Sequence, residues 1–193
     1  MTFSSRIKDE LSRTEITDVL SAKAEIAAFV RTVGYITIKG LNKVEFEFST
    51  ENAAVARRIF KVLKIAHDFN IMNFNYEVPE ELLSNDLCKR AYIKGSFMGS
   101  GSISNPERSY HAEFVSNKEI QSNILQMLLK GYGISGKNIY RKNNFVTYIK
   151  ESEQISDLLA LMGANNAVLD FENIRAVKET RNQINRVINC ETA

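Results

Sequence analysis

A chain of 193 residues with 44% hydrophobic residues and two prolines is long enough to bury a sizeable core and lacks the composition of a disordered segment. Its 25 basic and 23 acidic residues give a formal net charge of +2, far short of the cationic excess of a dedicated nucleic-acid binder. Cys88 and Cys190 belong to no C-x-x-C and the start is polar, so the sequence predicts a cytoplasmic protein with no metal, cofactor or membrane span.

In chain order, the first expected element is an N-terminal helix, Phe3–Arg13. An apolar run of helical period over 24–33 then ends at Gly34, a residue free to take the left-handed backbone that closes many helices. Alternating strands over 35–39 and 44–48 flank a turn at 40–43, a hairpin signal. Ser49 or Thr50 offers a side-chain oxygen to cap a helix over 51–64, and a strand over 71–78 follows. Residues 79–86, with one proline and several acids, read as an exposed connection.

The same order then repeats. A helix-period run over 91–98 leads to a glycine segment, and strands over 102–104 and 110–115 flank the turn-favouring Asn105-Pro106. Ser116 or Asn117 precedes a helix over 118–129. Strands over 139–141 and 145–150 surround a turn at Asn143-Asn144, and the helix Ser152–Met162 ends the unit. A C-terminal helical run extends from Asn165 to about Asn189.

Residues align between the two units at an offset of 66 to 67: Gly34 with Gly101, Ile26 with Ile93, and, after a one-residue slip, Glu47-Phe48 with Glu113-Phe114. This predicts a duplicated α+β fold of two antiparallel sheets with helices packed on one face of each. The expected division is an N-terminal helix (1–21), a first half (22–86), a second half (87–163) and a C-terminal helix (164–193). Strand parity turns Ile36, Ile38, Val44, Phe46 and Phe48 toward the helices, and Tyr35, Thr37, Lys39, Lys43, Glu45 and Glu47 away from them.

By the repeat, His111 and Glu113 take the places of Glu45 and Glu47, with Arg108 near the turn. Arg141, Lys142 and Lys150, with Tyr140 and Tyr148 among them, form the best cationic-aromatic cluster, a pattern that can serve phosphate contact and stacking but is more simply read as an ordinary solvated hairpin. Arg175, Lys178, Arg181 and Arg186 recur along the last helix, either toward DNA or toward solvent. His67 and His111 have no partners at ligand spacing, and Glu80-Glu81 suits a solvated linker better than acid-base chemistry.

The helix-to-glycine junctions carry a family resemblance. YIKGSFMGSGS (92–102) resembles the LAGLIDADG pattern of homing endonucleases, and IAAFVRTVG (26–34) is a more degraded copy. The resemblance implies a pseudo-two-fold fold in which the two motif helices lie side by side, with Ala27, Ala28, Gly34, Gly95, Gly99 and Gly101 giving room for close approach. It further implies that the outer sheet faces meet the major groove, with Lys39, Lys43, Arg108, Arg141, Lys142 and Lys150 as candidate DNA contacts among the acids Glu45, Glu47, Glu113 and Glu77.

Active members place an Asp at the motif's eighth residue to hold a divalent metal, where this chain has Val33 and Ser100; the sixth residue, acidic in the archetype, is Arg31 or Met98. The expected protein is therefore not an enzyme. FSSRIKDELSR (3–13), CKRAYIKG (88–95), LLALMGANNAV (158–168) and TRNQINRVINCET (180–192), in that order, resemble the bacterial WhiA family. That resemblance implies a cytoplasmic, nucleoid-associated regulator of sporulation, cell division and chromosome segregation that binds double-stranded DNA. It also implies that a helix-turn-helix domain follows near where this chain ends. The competing expectations are a protein-interaction scaffold that docks a partner on the sheet face, and a surviving endonuclease that draws its acids from elsewhere.

Overall fold

The computed structural model describes the backbone of residues 1–38, 44–66 and 78–191, and the side chains of the same residues except 36–38, 44–46 and 191. The expected turn at 40–43, Lys39, Lys43, His67, Glu77 and all but Val78 of the strand over 71–78 lie outside the described residues.

Helix α1 (Phe3–Arg13) begins where the Thr2 hydroxyl accepts from the Ser5 amide, and it buries Phe3, Ile7 and Leu11, one residue per turn along a single stripe. Helix α2 (Val19–Val33) is capped by Asp18, which accepts from the Ser21 amide. That hydrogen bond, more than any other, holds the Asp18 carboxyl below its ordinary pKa. Helix α4 (Asp86–Ser100) is capped in the same way by Asn85.

The two motif helices pack side by side and are buried almost all round, because each is covered on its remaining sides by sheet and outer helices. Their contact depends on small residues. A Cβ on Gly95 would lie 2.7 Å from the Glu25 carbonyl oxygen and 2.9 Å from Ala28 Cβ, and one on Gly99 would lie 2.7 Å from Thr32 Cβ. Ala27 and Ala28 are fully buried on the facing helix.

Each motif helix runs straight into a strand. Strands β1 (Gly34–Ile38) and β2 (Val44–Phe48) form an antiparallel pair, and β3 (Gly101–Ile103) and β4 (Ala112–Ser116) form its counterpart. The duplication extends to register, for Gly34 pairs with Phe48 and Gly101 with Phe114. The one-residue slip of the repeat is taken up inside the hairpin. Helix α3 (Ala53–Ile65) then packs on α1 and α2, and helix α5 (Glu119–Gly131) covers the second sheet.

The second sheet is completed by β5 (Lys137–Arg141) and β6 (Asn144–Ile149), giving four strands in the order β3-β4-β6-β5; among the described residues the first sheet has two. Helix α6 (Ser152–Met162) closes at Gly163, whose φ of 85° is the left-handed turn, and α7 (Asn165–Glu191) follows. The carboxylate of Glu10 on α1 accepts from the Asn166 and Ala167 amides at 2.8 and 3.1 Å, capping the first turn of α7 from another element. Phe171 of α7 is fully buried between Phe3 and Tyr110, whereas residues 179–190 are all exposed.

Several local expectations are corrected. Gly34 and Gly101 are extended (φ −87° and −83°), not left-handed. Glycine is required there for space, since a Cβ would lie 2.7 Å from the Val30 or the Phe97 Cα. Asn52, rather than Ser49 or Thr50, caps α3, accepting from the Ala54 and Val55 amides. Neither Ser116 nor Asn117 caps α5, because Ser116 still belongs to β4, opposite Phe145. The connection at 79–86 is not wholly exposed: Glu80–Leu83 forms a 3₁₀ turn whose Leu82 is buried. The β5–β6 turn is centred on Lys142 and Asn143 (φ 51° and 62°), one residue before its expected place.

Candidate nucleic-acid interface and the motif-helix ends

Burial alternates along β4: Ala112, Phe114 and Ser116 face the helices, while Glu113 and Val115 face outward. Cross-strand neighbours share a face, so Glu113 brings Tyr148 to its side, and Tyr148 brings Lys137. Parity adds Ile139 and Arg141 from β5. The open face thus gathers Ser102, Glu113, Tyr148, Lys137 and Arg141, with His111 and Lys150 just beyond the strand ends.

The single carboxylate of this face is surrounded. Glu113 Oε2 lies 3.2 Å from His111 Nε2 and 3.7 Å from Arg141 Nη2, and Ser102 Oγ donates to Oε1 at 3.4 Å. The His111 ring stacks on Tyr148 with centroids 6.0 Å apart, and Lys150 Nζ lies 5.5 Å from the Tyr148 centroid. Lys137, Arg141 and Lys150 therefore outnumber Glu113, leaving the face cationic and partly apolar.

The expected cluster is divided by the strands. Tyr140 lies on the opposite face from Arg141 and meets Phe145 with centroids 5.0 Å apart. Lys142 sits in the β5–β6 turn, at one end of the sheet, and Arg108 in the turn after β3, at the other. Arg108 and Lys142 are both exposed and are not brought together. On α7, Arg175 is engaged with Glu172 and Glu153, and Lys178 donates to the Pro106 carbonyl, whereas Arg181 and Arg186 project from the exposed stretch. Lys137 was not among the expected residues; the parity that places Tyr148 outward is the signal that identifies it.

At the C-terminal ends of the motif helices, the residues do not fit a divalent cation. Val33 has no donor atom, and the Ser100 hydroxyl donates to the Ser96 carbonyl at 3.4 Å. Arg31 donates to the Ala27 carbonyl at 2.9 Å. Burial lowers the Arg31 pKa against the opposing pull of Tyr92, whose own hydroxyl burial pushes up to about 12. A guanidinium in the place of a carboxylate repels a metal ion. Among the described residues, no group of three or more His, Cys, Asp or Glu side chains is placed to hold one. Among them too, no helix is long and apolar enough to cross a membrane, and Cys88 and Cys190 are both free.

Two family profiles match the chain: the WhiA N-terminal LAGLIDADG-like domain over residues 20–74 and the WhiA LAGLIDADG-like domain over residues 89–181. The chain is 41% identical to the probable cell division protein WhiA of Clostridium tetani and 38% identical to that of Alkaliphilus metalliredigens, covering all of this chain and 74% of each relative. The first of these alignments runs over 236 residues, 43 more than this chain's 193. Among solved structures, full-length DUF199/WhiA from Thermatoga maritima superposes with a TM-score of 0.78 at 20% identity, covering 98% of this chain and 75% of that one. The homing endonuclease I-DmoI in complex with DNA and Mn superposes with a TM-score of 0.54 at 14% identity, covering 76% of this chain and 98% of that one. At these identities the structural likeness establishes the fold, a duplicated LAGLIDADG architecture. With profiles over both halves and relatives this similar along the whole sequence, the chain belongs to the WhiA family.

Proposed function

We propose that this chain is the non-catalytic, DNA-contacting part of a WhiA-type regulator of cell division and sporulation, and that it holds duplex DNA on the open face of its second sheet. The observation that carries this reading is the convergence of Lys137, Arg141 and Lys150 with His111 and Tyr148 on the sheet face left free by the helices. Guanidinium and ammonium groups neutralise phosphates and position the duplex, while the Tyr148 ring offers an apolar contact. Glu113 does not work against this, because its charge is shared with Arg141 and, when protonated, His111. That I-DmoI, which shares the fold, was solved in complex with DNA supports a DNA partner, and the names of the Clostridium tetani and Alkaliphilus metalliredigens relatives support the cellular role.

Loss of cleavage follows from the motif ends. Two-metal or one-metal phosphodiester chemistry needs oxygen ligands over the scissile phosphate, and Val33 and Ser100 replace both carboxylates. DNA contact in this account needs no metal, so a chelator leaves affinity unchanged.

The test is charge reversal. Arg141→Glu with Lys150→Glu, on side chains that are exposed and outside the core, is expected to weaken binding to a labelled duplex by about tenfold or more in fluorescence anisotropy. Binding that is the same in the double variant as in the unaltered chain would remove the sheet face from the proposal. The scaffold reading, with a protein docked on this face, would then take its place.

A further inference from the structure

Away from the sheet faces, the two motif helices enclose a polar cluster that DNA contact does not use. Glu25 of α2 is 1% exposed and accepts from Arg58 Nε at 2.7 Å and from Nη2 at 2.8 Å, so both its oxygens are engaged by one guanidinium. The same guanidinium, 0% exposed, donates through Nη1 to the Thr14 carbonyl. Lys94 of α4 enters from the other side, with Nζ 3.4 Å from Glu25 Oε2 and 3.2 Å from the Thr14 hydroxyl. Two buried cations therefore share one carboxylate, which leaves the trio with one positive charge in excess. An uncompensated charge in a low-dielectric interior is costly, and it is kept only where something meets it.

The cluster is not sealed. It forms the floor of a cleft of about 310 Å³ between α2, α4, residues 14–17 and the end of α6. Arg90 stands on the lining with its charge met by Asp86 at 2.6 Å, the exposed Glu15 adds a carboxylate at the rim, and Leu87, Ile16, Leu161 and Met162 give apolar walls. The α6 end adds little negative potential, because the Leu159 and Ala160 carbonyls accept from the Ala164 and Gly163 amides. Burial pushes the Lys94 ammonium below its ordinary pKa, with Glu25 pulling the other way. A small pocket with apolar walls and one convergent, under-compensated cation is the usual form of a site for a small anionic ligand.

We infer that this cleft binds a small oxyanion, a phosphate or carboxylate group carried by a compact metabolite, with Lys94 as its charged contact. The lining comes from both halves and from the segment after α1, so an occupant bridges them. A ligand of this kind binds only the folded arrangement and stabilises it by mass action, which makes the junction of the two halves responsive to metabolite level.

The chain contains no tryptophan, so Leu87→Trp, at a cleft residue that is 50% exposed, supplies a single fluorescent reporter. Titration with inorganic phosphate and, separately, with acetate, at constant ionic strength balanced by chloride, is expected to give a saturable change for at least one of them. The responding probe distinguishes a phosphate site from a carboxylate site. Lys94→Gln on the same background is expected to weaken that response by about tenfold or more, the loss of one charged hydrogen bond, while Arg141→Glu leaves it unchanged. Isothermal titration of the unaltered chain with the same probe checks that the reporter has not created the site. Should Lys94→Gln fail to fold, the lysine ε-carbon resonance that disappears in Lys94→Arg identifies Lys94 by NMR, and it must move with the probe in the intact chain. A non-saturating response to both anions, a saturable one that survives Lys94→Gln, or a Lys94 resonance that stays still overturns the site.

Discussion

Arg58 shows how much one side chain can hold together in this fold. Its guanidinium joins α3 to α2 through Glu25 and to the end of α1 through the Thr14 carbonyl, all without exposure to solvent. Arg58→Leu leaves Glu25 buried with only the more distant Lys94, and the expected cost is about 3–5 kcal/mol, read as a fall in the urea midpoint. A change under about 1 kcal/mol would mean that water reaches Glu25. Lys8 makes a second prediction. Its Nζ lies 5.8 Å from the Phe97 ring centroid, and burial lowers its pKa from 10.5 to about 8. Between those values the folded chain holds fewer protons than the unfolded one, so this residue's contribution to stability rises as pH climbs from about 8 to 10.5. Lys8→Met removes the titration. Its melting-temperature advantage over the unaltered chain is expected to be largest below pH 8 and to shrink above it. An advantage that grows with pH would contradict the assignment.

At the scale of elements, helix existence was legible and helix edges were less so. Phe3–Arg13 and Ser152–Met162 stand where apolar periodicity puts them, because each has one buried stripe and a clear stop. The start of α3 was ambiguous because Ser49, Thr50 and Asn52 all carry capping oxygens. The choice among them is made by where β2 ends and not by local preference. Gly34 and Gly101 were found at the right junctions for a reason that sequence could not give, since only the packed helix shows that a Cβ has nowhere to go. The division of Tyr140 from Arg141 was available from parity alone: neighbours on a strand point to opposite faces. Gly95 provides the test at this scale. In an isolated helix Gly→Ala gains about 1 kcal/mol, but here the new methyl meets the Glu25 carbonyl and Ala28 Cβ. Overpacking costs about 1–3 kcal/mol, so Gly95→Ala is expected to lower stability, and a rise in its melting temperature would show that α2 and α4 can move apart freely.

At the scale of the whole molecule, the two halves are not equivalent. The second presents four strands and the cationic open face, whereas among the described residues the first presents two strands, with Glu47 and the 60%-exposed Tyr35 outward. Charge follows the same division, 14 basic and 11 acidic residues over 84–193 against 11 and 12 over 1–83. Duplication was legible in the sequence because Gly34 and Gly101 begin paired strands at matching register. The difference of 43 residues from the Clostridium tetani alignment was not, since a single sequence carries no trace of positions it lacks. The proposed DNA contacts lie on the second half. The most direct measurement is titration of the intact chain into a labelled duplex across a salt series. Three open-face cations predict a log–log slope of about −3, falling by about 2 in the Arg141→Glu, Lys150→Glu variant and unaffected by a chelator. Absence of binding at low salt, or a slope that the double variant does not change, would contradict the account.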